Sequence, residues 1–86
     1  VPVDGKYGYV TTERGSIGYS EPVVVFRAQD QLLVKVLSYY LLLCAEAGSP
    51  EKHLKLIDLT IRNVAEWQAG NFTKVPSSDS YAEESE

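Results

Sequence analysis

The sequence predicts an α+β domain of order ββαα, a β-hairpin followed by an αα-hairpin, and three observations carry that reading. Residues 6–13 and 23–28 are short runs rich in Val, Tyr, Thr and Phe, the residue types that fit a pleated, half-buried surface. Residues 31–47 and 51–69 carry apolar side chains at spacings of three and four, the period of a helix. Between them, Gly48-Ser49-Pro50 supplies a stop followed at once by a start.

The first strand, KYGYVTTE, alternates weakly and tolerates Gly8. The segment after it, RGSIGYSEP, is rich in glycine and serine, ends in proline, and must turn the chain. VVVFRA, residues 23–28, is the strongest strand signal, and the two runs are expected to pair antiparallel. An isolated hairpin is marginal in water, so it requires the helices or a partner sheet.

Asp30 precedes the first helix as an N-cap, its carboxylate accepting from an otherwise unpartnered amide of the first turn. The helix itself, QLLVKVLSYYLLLCAEA, is apolar around most of its circumference. At about 100° per residue, Gln31, Lys35, Ser38 and Glu46 share one stripe, with Leu42 among them, and roughly 280° is left to apolar side chains. Gly48 suits the left-handed position after the helix, and Ser49, Pro50 and Glu51 read as cap, first helical residue and first-turn acid of a second helix that ends at Gly70. On that second helix Leu54, Ile57, Ile61, Val64 and Ala65 form the packing stripe, while Leu56, Leu59 and Trp67 lie on another side, around Asn63.

An arc of the first helix centred on Leu33, Val36, Leu37, Tyr40 and Cys44 is expected against the second helix and the hairpin. Its flanks, Leu32 and Tyr39 on one side and Val34 and Leu41 on the other, then remain uncovered. With Leu56, Leu59 and Trp67 they are the candidate interface, because a small domain with surplus apolar surface gains stability by associating. The expected partner is a second copy, most simply in a homodimer, together with a further protein. The domain spans residues 1–75, and residues 76–86, polar and acidic without periodicity, read as a disordered tail.

Composition narrows the function classes. The chain has 86 residues, 44% of them hydrophobic, and a formal charge of −4, with much of the acidic surplus between Asp79 and Glu86. No basic face is available to bind phosphodiester backbones, so nucleic acid is not expected as a partner. Lys35 interrupts the longest apolar run and no signal peptide is visible, which argues against a membrane partner, while the lone cysteine, unable to form an internal disulfide, argues for a cytoplasmic protein. The single Cys44, within the apolar arc, reads as a buried reduced thiol.

Chemistry is sparsely represented. His53 and Cys44 stand alone as metal-ligand types, so no metal and no cofactor is expected, and His53 reads as a surface or interface side chain. Ser16, Ser20 and Ser49 have no neighbouring base, and RGSIG is neither a P-loop nor a dinucleotide fingerprint. The chain is therefore not read as an enzyme. One polar constellation stands out at FRAQDQ, where Arg27, Gln29 and Gln31, with Arg14 from the hairpin loop, could hold a phosphate- or carboxylate-bearing metabolite at a helix N-terminus. Against it, Asp30 occupies the cap and Arg27 has Asp30, Glu13 and Glu21 as available acids.

At TTERG, EPVVVFRAQD, LLCAEAGSP and AEWQ the chain resembles short uncharacterised proteins of actinobacterial phages and their hosts, over residues 6 to about 70. The resemblance brings no activity, cofactor or site residues. It implies a small accessory or host-interaction protein, which agrees with a non-enzymatic, homo-oligomeric interaction module.

Overall fold

The computed structural model describes residues 2–77, and the chain is α+β: a small three-stranded sheet precedes two helices. Two compact units are present, one running to Phe26 and the other Arg27–Pro76. Most of the expected tail, residues 78–86, lies outside the described residues.

In the first unit Val3–Asp4 (β1), Gly8–Tyr9 (β2) and Pro22–Val23 (β3) are ordered β2-β1-β3. The β-hairpin is the pair β1–β2, antiparallel with Val3 opposite Tyr9 and Asp4 opposite Gly8. The two runs expected to pair with each other are instead both paired to β1, and β3 runs parallel to it.

Asp4 is the physical reason for this arrangement. Its Oδ1 accepts the amides of Lys6 at 2.8 Å and Tyr7 at 2.7 Å, which closes the hairpin turn, and Gly8 completes the reversal at φ +83°. Its Oδ2 accepts the Val25 amide at 2.6 Å. The strand beginning at Pro22 thus stops at Val23, and Val24 and Phe26 remain exposed. The turn before β3 closes through the Glu21 amide to the Gly18 carbonyl at 3.1 Å, with Ser20 at φ +62°, a conformation that favours glycine.

The second unit is an αα-hairpin of Leu33–Glu46 (α1) and Glu51–Ala69 (α2). Its connection is a Schellman motif: the Ser49 amide donates to the Cys44 carbonyl at 2.9 Å and the Gly48 amide to that of Ala45 at 3.2 Å, with Gly48 at φ +82° as expected. A Cβ at Gly48 meets no atom within 4 Å, so the backbone conformation alone opposes substitution. Gly48→Ala is expected to cost about 1 kcal/mol and to lower the thermal midpoint by about 5 °C, measurable by circular dichroism.

At the start of α2, Pro50 takes the cap position with ψ 146°, one residue later than Ser49. Its carbonyl accepts the amides of His53 and Leu54. The start of α1 is also displaced, to Leu33. The Gln31 amide donates to the Lys74 carbonyl at 3.0 Å and the Lys74 amide to the Gln29 carbonyl at 2.8 Å, a parallel bridge that holds residues 29–31 out of the helix. Leu32, and not Asp30 as expected, takes the cap position, without a side-chain cap; Asp30 closes the turn ahead of it, accepting the Leu32 amide at 2.8 Å through Oδ1 and the Leu33 amide through its carbonyl. Gln68 Nε2 donates to the carbonyls of Ala28 and Asp30, both at 3.0 Å, and ties the end of α2 to the start of α1.

The core of this hairpin is a single stripe on each helix. Leu33 and Cys44 of α1 meet Ile57 and Val64 of α2, all buried, with Val34, Leu37, Leu41, Leu54 and Ile61 half-buried around them. Ala65, expected in the stripe, is exposed, and Gln68 extends the stripe instead. Measured at 100° per residue, the covered arc of α1 is rotated by about 50° from the expected one. Val34 and Leu41 therefore turn toward α2, while Val36 and Tyr40 emerge at 41% and 48% exposure. The short 47–50 connection at one end and the Gln68 tether at the other fix the side from which α2 approaches.

Candidate interaction face on the helical hairpin

The rotation of α1 exposes a regular apolar row. Leu32, Val36, Tyr39 and Leu43 are all exposed, and their spacing of four, three and four is that of a coiled-coil seam. On α2, Leu56, Thr60, Asn63 and Trp67 repeat the same spacing, with Leu59 at the outer margin. Thr60 Oγ1 donates to the Leu56 carbonyl at 2.8 Å, satisfying its hydroxyl proton within the helix.

The two rows lie on the same side of the hairpin. The helices are antiparallel, and from each buried stripe the exposed row is reached by turning toward one common side of the plane that contains both axes. A ring contact marks that side: Tyr40 and His53 meet edge to face, centroids 6.5 Å apart at 87°. The opposite side carries the ion pairs, Arg62 with Asp58 at 2.6 Å and Lys55 with Glu51 at 3.4 Å, both one helical turn apart, and, among the described residues, a single large exposed apolar side chain, Leu42 beside Lys35. An apolar face backed by a solvated charged face is the pattern of a surface that excludes water on one side only.

Among the expected interface residues, Leu32, Tyr39, Leu56, Leu59 and Trp67 are exposed on the hairpin, with Tyr39 at 63% and Leu56 at 59%. Val34 and Leu41 are half-buried toward α2. Val36 and Leu43 are the members that the sequence reading missed, although their four-three-four spacing from Leu32 was a signal that could have found them. Phe72 and Val75 do not cover this patch and stay exposed, because their segment is bound through Lys74 to residues 29–31.

Tyr40 also touches the core. The Cys44 thiol, through a side-chain hydrogen bond and the charge a thiolate would bring, together with burial, raises the Tyr40 hydroxyl above its usual 10. Tyr40 is therefore neutral at physiological pH, and the buried Cys44 is a free cysteine.

The strand-to-helix junction offers fewer donors than its sequence suggested. The Gln31 and Leu32 amides are engaged by the Lys74 carbonyl and the Asp30 carboxylate, and the Gln29 carbonyl is bound by Lys74. Arg27 is exposed and Gln29 half-buried in this unit, and Arg14 belongs to the other. The first unit contains an open concavity of about 390 Å³ lined by Pro2, Val10, Thr11, Thr12, Gly15, Ser16, Ile17 and Tyr19. Among the described residues no three His, Cys, Asp or Glu side chains cluster to hold a metal ion, and no helix is long and apolar enough to cross a membrane.

Searches against family models, curated proteins and solved structures return no match. The chain's own surface is therefore the guide to its function.

Proposed function

We propose that this chain is a non-enzymatic accessory module that self-associates through the exposed face of its helical hairpin and, as a homo-oligomer, binds another protein. A cytoplasmic setting, which keeps Cys44 reduced, and a role in phage or host interaction belong to the same proposal. One observation carries it: two helical rows, Leu32-Val36-Tyr39-Leu43 and Leu56-Thr60-Asn63-Trp67, share one side while the ion pairs occupy the other.

The magnitude favours association. The exposed parts of the large side chains on this side come to roughly 800 Å² per copy, about what each partner contributes to a standard stable interface. That area suffices for a contact of standard size, and the strength of the contact is then set by its central anchors, Tyr39, Leu56 and Trp67, rather than by area.

Trp67 is the only tryptophan and reports directly on the face. Its emission is expected to lie at short wavelength in concentrated protein and to move to longer wavelength on dilution, as the assembly dissociates and the indole meets water. An emission maximum independent of concentration from hundreds of micromolar to nanomolar contradicts the proposal.

A further inference from the structure

The two rows differ in a way that fixes how a second copy would sit, and this inference rests on the self-association proposed above. The α1 row is apolar apart from the Tyr39 hydroxyl, whereas the α2 row places Thr60 and Asn63 between Leu56 and Trp67. A charged residue ends each row at the 47–50 end of the hairpin. Glu46 continues the α1 row three residues beyond Leu43, and Lys52 precedes Leu56 by four. Both are exposed, and in a single copy they stand on opposite outer edges of the hairpin.

We infer that two copies pair these faces about a two-fold axis parallel to the helices, so that α1 of each lies along α2 of the other. Every neighbouring pair of helices is then antiparallel, as in an up-down four-helix bundle. Side chains lean toward the N-terminus of their own helix, so across an antiparallel pair they reach toward each other. Tyr39 of one copy thereby meets Thr60 and Asn63 of the second, and Leu43 meets the turn holding Leu56. Leu32 meets the end holding Trp67, and Glu46 meets Lys52. Each buried polar group has a partner, and each Glu46 faces a cation.

The competing face-to-face arrangement has its two-fold axis perpendicular to the helices. It lays α2 on α2, brings the Asn63 amide among Leu56, Leu59 and Thr60, and sets Lys52 beside Trp67 and Glu66, so Glu46 and Lys52 no longer meet. The charge complementarity of Glu46 and Lys52, met at both ends only with the parallel axis, favours the first arrangement.

The test uses two charge reversals on exposed positions that contribute nothing to the hairpin core, Glu46→Lys and Lys52→Glu, in the full chain at low salt. Each homodimer would carry like charges at both symmetry-related contacts, and its dissociation constant is expected to rise by roughly tenfold. An equimolar mixture forms heterodimers in which both contacts are again opposite in sign. At one contact the introduced lysine faces the introduced glutamate, and at the other the native Glu46 faces the native Lys52. Dissociation in the mixture is expected to return to within about twofold of the unmodified chain.

Weakened homodimers that the mixture does not rescue overturn the arrangement while leaving self-association standing, and so does a pair of reversals without effect. An unmodified chain that is monomeric overturns both. Oxidation of a Thr60→Cys chain gives a second reading: the inferred geometry keeps the two introduced thiols on separate helix pairs and yields no covalent dimer. The perpendicular arrangement brings them together at the axis, so rapid cross-linking contradicts the inference.

Discussion

Leu56→Asp is expected to dissociate the assembly while leaving the hairpin folded. Leu56 is 59% exposed in the single chain and sits in the α2 row, so its side chain supports no intrachain core. An aspartate there is solvated in the monomer and must be stripped of water at a helix–helix seam, which costs several kcal/mol without a counter-charge. The dissociation constant should rise by roughly 100-fold or more, as for the central residues of protein interfaces. Far-UV circular dichroism should remain that of the parent α1–α2 pair. A variant that loses helicity together with mass would show that Leu56 serves the fold, and one that keeps its mass would show that the face is not the contact.

Asp4→Ala is expected to unravel the first unit without disturbing the helices. A single carboxylate there accepts three backbone amides, from Lys6, Tyr7 and Val25, and joins the hairpin turn to the chain after β3. Strands of two residues have few ladder bonds to fall back on. Hydrogen exchange at those three amides should accelerate by roughly tenfold or more, while the amides of α2 keep their protection.

The same carboxylate predicts an acid limit for this unit. The amides of Tyr7 and Val25, with that of Lys6 and the Lys6 charge, lower its pKa below the usual 3.8 against the opposing effect of burial. A carboxyl group held lower in the folded chain than in the unfolded one stabilises fully above about 3.8, and that contribution disappears as pH falls through the folded value. Protection at Lys6, Tyr7 and Val25 should hold at about pH 5 and through the ordinary carboxylate range, and be lost only as pH falls further, through the lowered folded value. Asp4→Ala should remove this dependence; if the variant shows the same acid profile, another group sets it.

The helices were readable because their signals are local. Gly48 needs a left-handed backbone, Pro50 cannot continue a helix from its N-terminal side, and Ile57, Ile61 and Val64 recur at the helical period. Leu32, Tyr39, Leu56, Leu59 and Trp67 emerged exposed for the same reason, since a helical side chain that does not face α2 faces outward. What sequence reasoning missed is long-range. Asp4 gave no periodic signal, and its influence runs to Val25, twenty-one residues away. The start of α1 depends on Lys74, and the azimuth of α1 depends on the Gln68 tether. The roles of Val34, Val36, Tyr40 and Leu41 followed from that azimuth. Charge and composition could report that an apolar arc was in surplus, but only the direction of α2 decides which arc.

Sedimentation equilibrium of the full chain over a wide concentration range tests the central claim most directly. The face described above predicts twice the chain mass at tens of micromolar, falling toward the single-chain mass on dilution with one dissociation constant. A single-chain mass at every concentration, with a cooperative melt, would contradict it.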